Sequence, residues 1–320
     1  MNGTGRLAYN WFPQKTFQRI TLSSNYNQFT YFTNEGFIIK SDSGIVGQNV
    51  ETKDLQFRKI QGKIEFELKR NSLRDAKKSF ISARLVSVNR SILNTDLALF
   101  KYDNTNDLFS EINFRTLNNR VINPYSYYIN VQQHDDFVKA EAEFNFSFSY
   151  KKKNKSADIR IFAGQFIYEN KLQNASQYYF SFNGNNDYLY DQVFLDRSKV
   201  SEDFLNRQLS DNDGGFRNLT TAAPAKQMLS INAKVPLPIS LPIGFYADAG
   251  ISSYVDNFNN GNRGFYDVGI YVPIMKNVLE VYFPIFISSD LNQLNYGQKI
   301  SFVFNIKSLN PLTAAKNFNL

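Results

Sequence analysis

Apolar and polar residues alternate along most of this chain with a period of two. Between Lys139 and Tyr150, one set of positions holds Ala140, Ala142, Phe144, Phe146, Phe148 and Tyr150. The other holds Lys139, Glu141, Glu143, Asn145, Ser147 and Ser149. A helix would spread these residues around its circumference, whereas a strand sorts them onto two faces. Ile60, Gly62, Ile64, Phe66 and Leu68 alternate in the same way with Gln61, Lys63, Glu65, Glu67 and Lys69. Near the C-terminus Ile300, Phe302, Phe304 and Ile306 oppose Ser301, Asn305 and Lys307, with Val303 out of step.

The pattern predicts fifteen strands: 6–13, 16–32, 55–69, 79–92, 109–121, 125–133, 137–150, 156–169, 177–184, 187–195, 227–239, 243–256, 263–274, 279–288 and 298–308. Several exceed the roughly five or six residues of an ordinary strand. They reach the roughly 9–11 residues that cross a bilayer at a tilt. No segment reads as an amphipathic helix, and no repeat of solenoid or propeller length is present. The joins mostly alternate in length. Short ones (13–15, 71–77, 121–124, 151–155, 275–277) separate longer ones (33–54, 93–108, 196–226, 257–262, 289–297), with 133–136 short where a long one is expected. Outer-membrane barrels have short turns at one rim and long loops at the other. Aromatic residues near predicted strand ends (Trp11, Phe12, Tyr125, Tyr127, Tyr128, Tyr178, Tyr179, Tyr282, Phe283) fit girdles at the water–lipid interface.

Composition supports this reading. Hydrophobic residues make up 42% of the 320 positions, yet the mean hydropathy is −0.39, too polar for a bundle of membrane helices and too apolar for a disordered chain. Aromatics reach 16%, dominated by 30 Phe and 19 Tyr, which favour strands. No apolar run approaches the roughly 18 residues of a membrane helix. The most apolar stretch, 235–247, contains Pro236, Pro238 and Pro242. A closed barrel satisfies every backbone polar group within lipid. The expected fold is therefore all-β: a transmembrane antiparallel up-and-down barrel of roughly 14–16 strands, one domain over 1–320. No apolar export segment follows Met1, so the chain is expected to be the C-terminal part of a longer exported protein. An odd count of fifteen is expected to lack one strand before Met1, unless 177–184 and 187–195 are one strand split at 184–187, which gives a closed barrel of fourteen.

The chemistry-bearing residues are few. Cysteine is absent, which excludes disulfides, thiolate metal sites and cysteine nucleophiles. The single histidine, His134, cannot build a multi-histidine zinc site, and it sits in a turn-like stretch expected to be solvated. No phosphate-binding, dinucleotide-binding or nucleophile-elbow motif occurs. Residues 211–215 look faintly like a calcium loop but lack the distal acid and read as a polar loop. Glu65, Glu67, Glu141 and Glu143 could form a glycosidase pair. The favoured reading is a lumen wall balanced by Lys63, Lys69, Lys139 and Arg160. The net charge of +7 includes a dense run, Lys151 to Lys153 and Lys155, read as a solvated turn; no nucleic-acid partner is expected. No catalytic, cofactor-binding or metal-binding residue is assigned.

Several stretches resemble the C-terminal outer-membrane barrel of surface M1-family (gluzincin) metallopeptidases of Bacteroidetes-like bacteria. They are 119–125 (NRVINPY), 158–164 (DIRIFAG), 187–191 (DYLYD), 213–217 (DGGFR), 245–250 (FYADAG), and the ending from 280–284 (EVYFP) through 306–311 (IKSLNP). The chain is also distantly similar to Omp85-type surface-antigen barrels. The first resemblance implies a membrane anchor for a surface or periplasmic peptidase domain absent from this chain, whose zinc-binding HExxH helix is missing here. The second implies a barrel for insertion or translocation, with 196–226 as the loop inserted in the lumen. Either implies outer-membrane lipid and the barrel-assembly machinery as partners. A soluble β-rich binding protein is the third reading. The purified chain is expected neither to hydrolyse peptides nor to bind zinc stoichiometrically. Aminopeptidase activity lost on chelation would overturn that expectation.

Overall fold

In a computed structural model of the chain, the described residues are 3–12, 16–35, 38–41, 44–47, 51–72, 74–94, 101–150, 155–170, 178–184, 186–195, 204–219, 224–239, 241–254, 262–275, 278–291 and 295–305. The described residues form sixteen strands: β1 (Gly3–Trp11), β2 (Phe17–Glu35), β3 (Ile38–Ser41), β4 (Gly44–Gly47), β5 (Glu51–Leu68), β6 (Lys77–Asn94), β7 (Lys101–Asn118) and β8 (Tyr125–His134) in the first half. The second half contributes β9 (Phe137–Ser149), β10 (Ser156–Glu169), β11 (Gln208–Leu209), β12 (Ala225–Pro236), β13 (Gly244–Tyr254), β14 (Asn262–Met275), β15 (Leu279–Ile287) and β16 (Ser301–Phe304). β3 and β4 pair only with each other. The remaining strands form one 14-stranded sheet. It is antiparallel between sequential neighbours except where the two-residue β11 joins the edge of β16 in parallel.

The alternation seen in the sequence becomes the two faces of this sheet. In β10, Ile159, Ile161 and Ile167 point outwards and are exposed, while Arg160, Phe162 and Phe166 point inwards and are buried. The register places Ile161 opposite Phe144, and Phe144 opposite Tyr127, so the outward apolar residues form a continuous belt. Ile60, Leu85, Ile112, Leu229, Ile231, Phe245 and Ile251 extend it around the sheet. Lys59, Glu67, Glu111, Lys139, Asn232 and Asp248 lie buried on the inner face. An exposed apolar belt around a charged interior inverts a water-soluble fold and matches a strand wall facing lipid.

The antiparallel order puts the strand ends connected by short joins (12–16, 69–76, 119–124, 150–155, 237–243, 276–278) at one rim and most of those connected by long joins at the other. The brief 135–136 turn falls on the long-loop rim. Its backbone groups are still used, since Asn170 donates to the Asp136 carbonyl at 2.7 Å. β1 and β16 both run towards the short-turn rim, as an odd antiparallel count requires. Among the described residues, no ladder joins them.

Three expectations are corrected. Segments 177–184 and 187–195 are not wall strands. Their described residues form an irregular chain inside the sheet, touching the wall backbone only at the Phe180–Ala225 bridge. The girdle includes Trp11, Phe12, Tyr125 and Tyr127. Tyr128 instead lines the interior, and Tyr178, Tyr179 and Tyr282 are buried. His134 is buried as well, its ring stacked 4.8 Å from that of Phe109 and 5.4 Å from that of Phe137. The residues beyond Asn305, including Phe318 and Leu320, lie outside the described part.

Arginine on the outer face measures the lipid contact. Ile161 lies midway along β10, so Ile161→Arg is expected to destabilise the barrel by about 2–4 kcal/mol. Phe146 lies three residues from the end of β9, and Phe146→Arg should cost about 1 kcal/mol. Reversible unfolding from lipid vesicles measures both. An Ile161→Arg variant as stable as the parent would contradict a lipid-facing wall.

Candidate functional site

The long join between β10 and β12 turns into the barrel. Its described parts, 178–184, 186–195 and 204–219, touch inner-face residues from β5 round to β16. The sheet therefore curls about this loop. Two limbs hold each other first. Phe216 donates its N–H to the Phe182 carbonyl at 2.7 Å, Gly214 to that of Ser181 at 3.1 Å, and Ser181 to the Asp213 carboxylate at 3.1 Å. Gly184 and Gly215 have positive φ (65° and 61°), a region that Gly enters freely and that lets the limbs reverse here.

Wall glycines make room for the aromatic rings of the loop. A Cβ on Gly164 of β10 would lie 2.6 Å from the ring of Phe180. A Cβ on Gly250 of β13 would lie 2.6 Å from the ring of Phe182. Tyr178 inserts among Phe109, His134 and Phe137, with ring centroids 5.1–5.7 Å away, and receives a hydrogen bond from Arg90 at 3.1 Å. Tyr188 hydrogen-bonds to Gln132 of β8.

Two ionic clamps fix the loop at opposite walls. At the first, the Arg217 backbone N–H donates to Asp248 of β13 at 2.9 Å, and its guanidinium lies 3.6 Å from the same carboxylate and 2.8 Å from Asp211. The guanidinium also stands over the Tyr282 ring at 5.4 Å, and Ser301 of β16 donates to the Arg217 carbonyl at 2.9 Å. Asn232 of β12 connects this clamp to its surroundings. Its amide donates to Asp248 and to the Gly214 carbonyl, both at 3.0 Å, and accepts from Arg160 at 2.9 Å. Arg160 in turn pairs with Glu143 at 2.6 Å.

The second clamp is Asp191. Lys59 of β5 reaches its carboxylate at 2.5 Å, and Arg84 of β6 reaches both oxygens at 2.8 and 2.9 Å. Tyr190 has φ 53° and stacks 3.6 Å from Phe57. Asp187 accepts the backbone N–H groups of Asp191 and Gln192 at 2.8 and 2.9 Å, which orients the short turn. Between the loop and the wall lies a polar cavity of about 410 Å³, bordered by Arg84, Glu111, Asn130, Lys139, Glu141 and Asp213.

The acidic residues expected to line the lumen do so, and they face cations and amides. Glu65 pairs with Lys63 at 2.5 Å, Glu67 with Arg19 at 2.9 Å and Glu143 with Arg160, while Glu141 accepts from Asn130 at 3.0 Å. Residues 211–215 belong to the first clamp and the limb pairing. The inserted loop starts earlier than the expected 196–226, because 178–195 carries most of its aromatic anchors and all of the second clamp. The functional residues that the sequence reading missed are Lys59, Arg84, Asp191, Asn232 and Asp248.

No protein-family model matches the sequence, and no curated protein matches it. Among solved structures, the chain is similar to BamA from Haemophilus ducreyi, in a crystal structure lacking POTRA domains 1–3. The TM-score is 0.51 at 11% identity, over 93% of this chain and 61% of that one. The chain thus spans less than two thirds of the BamA chain it matches. At this identity the likeness establishes the fold, an all-β, mostly up-and-down antiparallel barrel of the BamA type.

The Asp191 clamp makes loop docking sensitive to acid. Burial opposes ionisation of this carboxyl, but Arg84 and Lys59 outweigh burial and hold it below its usual range. Such a group stabilises the docked state above its free pKa of about 3.9, and the stabilisation is lost as pH falls through the docked value. Conductance through planar bilayers is expected to stay low from neutral pH down to about 4 and to rise below it. Asp191→Asn should conduct more at neutral pH and lose the acid-induced rise. Superimposable conductance–pH curves for the two proteins would show that Asp191 does not hold the loop.

Proposed function

We propose that this chain is the barrel of an Omp85-like protein of the bacterial outer membrane, serving insertion or translocation of other outer-membrane proteins and performing no catalysis itself. Its partners are outer-membrane lipid, the barrel-assembly machinery and an unfolded client strand. The observation that carries this reading is the inserted loop, folded back through the lumen and clamped by Arg217 to Asp248, in a barrel of the BamA type. A passive anchor has no need of a long join that fills its own interior and ties both halves of the wall together.

The competing reading, an anchor for a metallopeptidase domain, rests on short sequence stretches alone. Four of them fall on the loop or on the wall facing it. Residues 158–164 hold Arg160 and Gly164, 187–191 hold Asp191, 213–217 hold Arg217, and 245–250 hold Asp248 and Gly250. They describe the interior of a barrel and carry no peptidase chemistry.

The test is a folding assay in vesicles containing the full chain. A small urea-unfolded outer-membrane barrel is added, and its conversion to the protease-resistant form is followed. The chain is expected to accelerate that conversion. Arg217→Ala strands Asp248 in the interior, a loss of about 3–5 kcal/mol from the clamp, and should abolish the acceleration while the barrel itself remains inserted. Client folding at the rate of empty vesicles, with the wild-type chain inserted, would overturn the proposal.

A further inference from the structure

The two rims carry opposite charge. The six short joins contain ten Lys and Arg against a single acidic residue, Asp75; the joins at the other ends of the strands, with the 135–136 turn included and the lumen-filling residues 178–195 and 204–219 left out, contain nine Asp and Glu against five Lys and Arg. The modest net charge of +7 is thus the residue of a polarised molecule. At the short-turn rim Lys69, Arg74, Lys77 and Arg120 are exposed, and among the described residues none of them pairs with a carboxylate. Asp75 accepts the Lys77 backbone N–H at 2.9 Å. Lys155 is occupied differently, donating to the Leu237 and Ile239 carbonyls at 2.6 and 2.5 Å and so bridging two turns.

Large apolar side chains stand beside these cations. Trp11 and Phe12 end β1, Val121 is 95% exposed and Ile122 is 68% exposed at the tip of the third short join, and Leu241 projects from the fifth. Just above them on the outer face is a course of ring pairs: Phe17–Phe66, Phe114–Tyr127 and Tyr125–Phe144, at 5.0–6.5 Å. The Arg120 guanidinium lies over the Tyr125 ring at 5.4 Å and donates through Nε to the Asn123 carbonyl at 2.5 Å, so it is held at the aromatic girdle. A rim facing only water has no use for exposed Val, Ile and Leu at its tips. By sequence five of the six short joins, all but 237–243, carry a Lys or Arg, so the cations recur around the circumference, where a protein partner would need one contiguous patch. The rim continues the lipid-facing wall, so its neighbour is the headgroup layer.

We propose that the short-turn rim is a docking surface for anionic phospholipids, with headgroup phosphates taken by Lys69, Arg74, Lys77 and Arg120 and with Trp11, Phe12, Val121 and Ile122 at the acyl boundary. This inference rests on the membrane-barrel reading above. It adds a lipid class and a leaflet: the one on the short-turn side.

The experiment inserts the full chain into phosphatidylcholine bilayers with and without phosphatidylglycerol. It reads retained lipid by native mass spectrometry and the thermal unfolding midpoint. Phosphatidylglycerol is expected to be retained preferentially and to raise the midpoint, and salt should weaken both effects. Each cation near an anionic surface contributes roughly fivefold in affinity. The quadruple variant Lys69→Gln, Arg74→Gln, Lys77→Gln, Arg120→Gln should therefore lose the preference, while Lys226→Gln at the opposite rim keeps it. Insertion with equal retention of both lipids, or a quadruple variant as selective as the parent, would overturn the inference and leave the barrel standing. Binding of soluble polyglutamate through the same four cations, without phosphatidylglycerol preference, would assign the surface to an acidic protein and also overturn it. Failure to insert into either bilayer would overturn this inference and the membrane reading together.

Discussion

The guanidinium of Arg217 is almost wholly removed from water inside the barrel. A buried cation costs several kcal/mol unless charge and hydrogen bonds answer it. Here Asp211 and Asp248 supply the charge, the Tyr282 ring supplies a π face, and Asn232 fixes the Asp248 carboxylate from the side. Each answering group comes from a different part of the fold: Asp211 from the loop, Asn232 from β12, Asp248 from β13 and Tyr282 from β15. If the loop leaves, Asp248 loses its cation and the Tyr282 ring loses the guanidinium above it. The position of one side chain therefore depends on four segments, and the packing of those segments depends on it. Gly164 and Gly250 extend the same dependence to the aromatic residues, because the space they leave open is filled by Phe180 and Phe182.

The wall of the barrel was legible because its cause is local. Each residue of β9 or β10 faces lipid or lumen by parity, and parity is written in the sequence. The same rule failed at 177–195 for an equally physical reason. Tyr178, Phe180 and Phe182 alternate with Tyr179, Ser181 and Asn183 much as a wall strand would. Alternation reports that one side of an extended chain is apolar; it does not report what that side meets. Here it meets the interior of the barrel, and Gly184 and Tyr190 at positive φ break the run before a ladder can form. His134 was misjudged similarly. Its Asp-Asp neighbourhood reads as a solvated turn, but Tyr178, forty-four positions away, covers it.

The clamps were only half legible. Glu65 and Glu143 could be read as lumen acids balanced by cations, since Lys63 sits on the same strand face as Glu65 and Arg160 on the strand adjoining Glu143. Asp191 finds Lys59 and Arg84 more than one hundred positions away, and no spacing rule joins them. What the sequence does hold is the unpaired remainder. Lys59 points into the lumen opposite Asn27 and Val88, with no acid beside it in the register, whereas Arg84 already meets Glu111 across the ladder at 2.6 Å and shares itself with Asp191. An inserted loop rich in Asp is where the acid for Lys59 comes from.

The loop also reaches the seam of the sheet. β11 lies along the free edge of β16, with Gln208 opposite Phe302 and Leu209 opposite Val303. The Gln208 side chain donates to the Val193 and Phe304 carbonyls at 2.8 and 3.4 Å and accepts the Leu195 N–H at 2.8 Å. Phe204 stacks 4.8 Å from Phe302. An uncovered strand edge within lipid leaves backbone groups without partners, so this cover has a definite energetic role. One residue, Ser210, separates Leu209 on the seam from Asp211 at the Arg217 clamp. The two Cα–Cα steps from Leu209 to Asp211 span at most about 7 Å when extended, which leaves little slack between the two contacts. Drawing residues 211–217 away from β13 by more than that distance must pull β11 from β16. The contact that holds the loop in the lumen and the contact that covers the last strand are thus mechanically one, and the loop cannot vacate the interior while the edge of β16 stays capped.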